Sequence, residues 1–225
     1  MPGRDIPLVN GEIYHVLNRG IASQPTFTDA REYKRAIEAM SYYQNLHPPQ
    51  RYSIFLVQAR KIREEILAKL KEKAEFWVEI IAYCFMPNHF HFLLRQKADR
   101  GISNFLSNFT NSYTRYFNTR HKRQGPLFMG KFKAVRVETD EQFYHLSRYI
   151  HLNPYSSYVV KSLETLANYP FSSLPEYLGE VSHTYCQKEL ILARFPTAES
   201  YKKFVFDQAD YQRSLEIGKH LWLET

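Results

Sequence analysis

The chain has 225 residues, 44% of them hydrophobic, enough for one large domain, or one domain with an appendage, around a substantial core. No stretch approaches the ~20 apolar residues of a spanning helix, and residues 1–12 have neither the basic flank nor the apolar centre of a signal peptide, so a cytoplasmic protein without a membrane partner is expected. Only Cys84 and Cys186 are present, which excludes a disulfide framework and a cysteine-based zinc knuckle.

Thirty Lys and Arg stand against 23 Asp and Glu, a formal charge of +7. Eight of the basic residues (Arg100, Arg115, Arg120, Lys122, Arg123, Lys131, Lys133, Arg136) fall within 100–136, where no acid occurs, leaving 22 against 23 in the remainder. The whole excess sits in one segment, the electrostatic footprint of a polyanion partner such as nucleic acid. A solvated basic face is the plainer alternative.

In chain order, residues 11–20 alternate as a strand that Asn18-Arg19-Gly20 closes with a turn. A helix follows, with Thr28 or Asp29 as its cap, Tyr33, Ile37 and Met40 on its apolar face and Pro48-Pro49 as its stop. Within 50–75, Ile62, Ile66 and Leu70 recur every four residues amid dense charge, which is the pattern of a surface or arm-like helix. Two apolar runs, 76–86 and 89–96, flank Pro87-Asn88 and predict a hairpin. Ile102, Phe105, Leu106, Phe109, Tyr113 and Tyr116 then share one helical stripe, so the aromatics Tyr113, Tyr116 and Phe117 read more readily as core than as stacking platforms. Residues 132–138 alternate as a strand, and a helix capped by Thr139 or Asp140 is expected to close at Pro154. The order suits an α+β sandwich of helices on an antiparallel sheet, with a domain over 1–175 and a helical appendage over 176–225.

Side chains at i and i+2 of a strand share a face, so His89 and His91 can point at one ion. Random placement of the histidines would yield roughly 0.4 pairs at this spacing, so the pair is weak alone, and two imidazoles are not a complete site. Tyr149 and Asn153 stand four apart and share a helical face, with β-carbons ~5–6 Å apart, able to meet the same phosphate. For Asn153 the competing reading is a helix-end residue before proline, and for Tyr149 one packing tyrosine among 17.

The ordered set "YHVLNRG", "YCFMPNHFHFLL", "GPLFMGKFKAVRVE" and "LSRYIHLNP", over roughly residues 11–175, resembles the single-tyrosine HUH transposases, especially those associated with repetitive extragenic palindromes. The resemblance implies a ferredoxin-like, RNA-recognition-motif-like sheet with an inserted helix, carrying a metal-dependent single-strand DNA nuclease and strand transferase. His89 and His91 match the family's two metal-ligand histidines, Tyr149 its nucleophile and Asn153 its third, polar ligand. Two imidazoles and an amide oxygen suit Mg²⁺ or Mn²⁺, and imidazole also accepts Zn²⁺. The expected partner is single-stranded or hairpin DNA of the nucleoid, with Arg115, Arg120, Lys122, Arg123, Lys131, Lys133 and Arg136 supplying the electrostatic track; a second copy of the chain is a further candidate. Residues 47–75 are an insertion relative to compact members, and Tyr155-Ser156-Ser157-Tyr158 replaces a frequent Val-Arg-Ala-Gly. The rival is a non-catalytic nucleic-acid module, RNA-binding included, on a similar sheet; such a module has no reason to combine His-x-His with Tyr-x-x-x-Asn.

Overall fold

A computed structural model of the chain describes residues 7–222, with side chains through 216; residues 1–6 and 223–225, the outer ends of the expected domain and appendage, lie outside the described residues. Four strands, β1 (Ile13–Arg19), β2 (Val78–Met86), β3 (His89–Gln96) and β4 (Lys133–Arg136), form one open sheet in the order β2-β3-β1-β4, each pairing antiparallel. This is the ferredoxin-like arrangement expected above. Pro87-Asn88 makes the β2–β3 turn, because proline presets its own backbone angle and cannot extend the ladder.

Alternation along β3 assigns the two faces. Phe90, Phe92 and Leu94 point one way and His89, His91 and Leu93 the other. On the phenylalanine face lies α4 (Gly101–Arg120), whose Phe105 and Phe109 put their rings 5.5–5.8 Å from those of Phe90 and Phe92. Fully burying each such ring contributes about 1.5–3 kcal/mol. Beside α4 runs α1 (Ala30–Tyr43), capped by the Asp29 carboxylate accepting from Glu32 N at 3.0 Å. The insertion folds into α2 (Tyr52–Val57), whose Tyr52 and Phe55 rings stack near Tyr42, and α3 (Arg60–Lys73), of which only Leu70 is buried. The charged, arm-like reading of that second helix agrees with its exposure. Of the three aromatics expected in the core, Tyr113 and Phe117 are buried there and Tyr116 is half-buried against it.

The histidine face is covered by α5 (Asp140–Ser156), capped by Thr139 Oγ1 accepting from Gln142 N. Here one expectation fails: the helix does not close at Pro154 but runs through it. Proline deletes one bond, the N–H that would reach Ile150 O. The surrounding turn is secured by other donors, since Ser156 Oγ donates to Leu152 O (3.2 Å), Ser157 N to Asn153 O (3.0 Å) and Gln212 Nε2 to Tyr149 O (3.2 Å). Asn153 therefore stays helical and buried, one turn beyond Tyr149.

After α5 come α6 (Leu163–Ala167), α7 (Leu174–Leu178), α8 (Glu189–Leu192), α9 (Ala198–Phe206) and α10 (Ala209–Trp222). α9 and α10 pack on α5, while the chain around α7 seals the outer edge of β2. Phe85 N donates to Phe171 O, Ser173 N to Tyr83 O and Tyr177 Oη to Ile81 O, all within 2.9 Å. An edge so paired offers no template for another strand. Among the described residues no helix is long and apolar enough to cross a membrane.

His151 of α5 ties these layers together. Fully buried, it pairs Nδ1 with Tyr201 Oη (2.8 Å) and Nε2 with Ser173 Oγ (2.7 Å), and burial holds its pKa near 3, down from 6.5. Below pH 6.5 the unfolded chain takes up a proton that the native imidazole refuses, so stability falls as pH drops from 6.5 toward 3. At pH 5 the loss from this residue is about 2 kcal/mol. Thermal melts between pH 7 and pH 5 should show a shallower fall for His151→Gln than for the wild type; parallel slopes would refute the assignment.

Candidate active site

The residues singled out by spacing meet beneath α5. His89 and His91 lie on the covered face of β3 with ring centroids 5.0 Å apart and planes nearly perpendicular. The Tyr149 ring stands edge-on to His91 at 5.7 Å. Asn153 donates from Nδ2 to Tyr149 O (3.3 Å), and its side chain also hydrogen-bonds the His89 ring. Strand alternation supplies the two imidazoles, and one helical turn supplies the phenol and the amide.

His15 joins them, a residue that sequence reasoning passed over. Its Nε2 lies 2.9 Å from His91 Nδ1, the two rings stack at 5.2 Å, and Tyr149 stands edge-on to it at 5.9 Å. The signal was present in "IYHVLNR", where alternation sets His15 on the same side as Ile13 and Leu17; only the register, Leu17 opposite His91, makes it a neighbour of the pair. Asn88, in the turn, performs the matching task for His89, with Oδ1 2.6 Å from Nδ1. An amide oxygen can only accept, so His89 Nδ1 carries the proton and Nε2 the lone pair. The His15–His91 hydrogen bond, in which one ring nitrogen donates to the other, fixes the orientation of the His91 ring.

Burial is the main cause that brings His89 and His15 each down to a pKa of about 4. At His89 the nearby Arg19 lowers it further, while the Asn153 hydrogen bond and the Glu216 carboxylate of α10 oppose. Both rings are thus neutral at physiological pH, the form that ligates metals. Among the described residues no group of three His, Cys, Asp or Glu is arranged to hold a metal ion. The residues that could hold one, as the sequence resemblance implies, are His89, His91 and the Asn153 amide oxygen. Beside Tyr149 opens a cavity of about 740 Å³ lined by His145 and Leu146 of α5, Val135 and Arg136 of β4, and Tyr14.

The basic segment does not form one patch. Arg115 and Arg120 belong to α4, across the sheet from the histidines, whereas Lys133 stands opposite Leu17 on the histidine side of β4. Arg120 pairs with Asp29 and Glu32, Arg136 with Glu12 at 2.8 Å, and Arg123 holds Asn118 Oδ1 and Pro126 O. Arg115, Lys122, Lys131 and Lys133 are exposed.

The family described as "Transposase IS200 like" matches residues 36–153, more than half of the chain and the part that contains His89, His91, Tyr149 and Asn153. No curated protein matches. A solved structure of a REP-associated tyrosine transposase bound to a REP hairpin is similar in fold, with a TM-score of 0.56 and 13% identity over 82% of this chain and 90% of that one.

If His15 orients His91, calorimetric titration with Mn²⁺ should show about 10–100-fold weaker binding for His15→Ala. His15→Gln, whose amide can donate or accept, should recover part of the loss. Unchanged affinity in His15→Ala would exclude the orienting role.

Proposed function

The chain belongs to the IS200-like transposase family, and on that premise we propose that it nicks and rejoins single-stranded DNA through a covalent bond to Tyr149. The observation that carries this reading is the convergence of the Tyr149 ring, the His89 and His91 pair and the Asn153 side chain at one point. A DNA-binding module without chemistry has no use for two oriented imidazoles beside a tyrosine.

The phenol oxygen of Tyr149 attacks the scissile phosphorus, giving up its proton to solvent, while the bond from phosphorus to O3′ breaks and O3′ takes up a proton. The products are a 5′-phosphotyrosine and a free 3′-OH. A 3′-OH then attacks the phosphotyrosine, restores the phosphodiester and returns the phenol. Because the ester is conserved in the intermediate, joining needs no ATP. Mg²⁺ or Mn²⁺, held by His89, His91 and Asn153, would polarise the phosphate and stabilise a phenolate. Asn88 and His15 keep the two rings oriented, and α5 keeps Tyr149 above them. The fold likeness to a transposase bound to a REP hairpin supports hairpin or single-stranded DNA as the substrate.

Incubation with labelled single-stranded hairpin DNA and Mn²⁺ or Mg²⁺ should give a covalent protein–DNA adduct that survives denaturation. Tyr149→Phe should abolish it, His89→Ala should abolish it together with its metal dependence, and Asn153→Ala should demand about 10–100-fold more metal. An undiminished adduct in Tyr149→Phe would overturn the assignment of the nucleophile; tight DNA binding with no adduct in the wild type would favour the non-catalytic module.

A further inference from the structure

Across the sheet from the histidines, α1, α4 and the chain from Leu46 to Ser53 enclose a cavity of about 980 Å³. Arg35, Arg51, Arg115 and Arg120 contribute to its wall, and no Asp or Glu lines it. Arg120 already has Asp29 and Glu32. Arg35 has no such partner. It is 8% exposed, it joins none of the ion pairs found among the described residues, and its Nε has no hydrogen-bond acceptor. Glu38, one turn along α1, instead accepts from Tyr52 Oη at 2.9 Å and pairs with Lys34. The Arg35 guanidinium lies 4.3 Å from the Tyr52 ring centroid and 5.3 Å from that of Tyr116, and the Glu38 carboxylate attracts it without forming an ion pair.

Three further buried groups at the same wall, Gln50 Nε2, Trp77 Nε1 and the Tyr116 hydroxyl, also lack hydrogen-bond partners. A guanidinium withdrawn from water without a directly paired anion is disfavoured, and unmade N–H bonds add to the cost. Buried polar groups are nearly always satisfied, so a cavity bordered by four that are not invites a ligand that completes them. The missing chemistry is consistent: every orphan can donate a hydrogen bond, and four arginines and no acid line the cavity. A group with one or two negative charges and several acceptor oxygens meets all of it, and the planar fork of arginine matches phosphate.

We propose that this cavity, walled in part by the insertion, is a phosphate-binding site, taking the phosphate of a free nucleotide or of a nucleic-acid strand. The site lies on the opposite side of the sheet from Tyr149 and needs no metal, so it stands or falls independently of the nuclease reading.

Trp77 is the built-in reporter. In a Trp222→Phe background, its emission is followed in EDTA at constant ionic strength during titration with pyrophosphate, a deoxynucleoside monophosphate, an unstructured oligonucleotide, or chloride as control. A saturable change with at least one phosphate ligand, absent with chloride, is expected. Arg35→Gln and Arg115→Gln should each weaken it at least tenfold, and Arg35→Met should raise the melting temperature of the ligand-free protein while removing the rise that phosphate causes in the wild type. Tighter binding of the mononucleotide than of the oligonucleotide identifies the free nucleotide as the source, and the reverse order identifies the strand. No saturable response, a response that chloride equals, or one undiminished in both glutamine variants overturns the proposal. Should Arg35→Gln fail to fold, Arg115→Gln, exposed on the outer face of α4, decides alone.

Discussion

Everything in this protein hangs on the alternation of one strand. β3 must bury Phe90 and Phe92 against α4 while turning His89 and His91 toward α5. A slip of one residue would send the phenylalanines into the polar layer and the histidines into the aromatic core. The site geometry is therefore protected by the same apolar burial that holds the sheet together. Pairing with β1 on one side and β2 on the other fixes the register, and the β1 side brings His15 to His91.

α5 is the second half of the arrangement, and its position depends on the C-terminal helices. Gln212 of α10 donates to the Tyr149 carbonyl, Glu216 acts on His89, and His151 bonds to Tyr201 of α9 and to Ser173 at the β2 edge. These contacts compensate for Pro154 and keep Asn153 within the helix. Helical turns read from sequence as an appendage thus brace the helix that carries the proposed nucleophile, which explains why buried polar groups, each with a partner, cluster at that seam.

The positive charge is organised by a different rule. Its residues are contiguous in sequence, yet α4 and β4 lie on different layers, so the segment is divided across the sheet. Part of it is consumed by ion pairs, as at Arg120 and Arg136. Among the described residues, the buried Arg35 joins no ion pair, and it comes from a helix outside the basic segment altogether.

Local pattern determined a great deal: the alternation of β1 and β3, the Asp29 and Thr139 caps, the aromatic stripe of α4, the exposed charge of α3, and the pairing of Tyr149 with Asn153 on one helical face. Each of these follows from periods of two and 3.6 residues or from capping chemistry, which act over a few residues and so are legible in any single stretch. Tertiary structure decided what depends on which stretches meet. Strand register made His15 a partner of His91, the docking of α10 and α9 let α5 continue through a proline that by itself predicts a stop, and the packing of α1 against α4 and the insertion buried Arg35 without an ion pair. Nothing in "YHVLNRG" or "EYKRAIEAM" reveals these outcomes, because the free energy of a buried histidine or arginine is set by neighbours dozens of residues away in the chain.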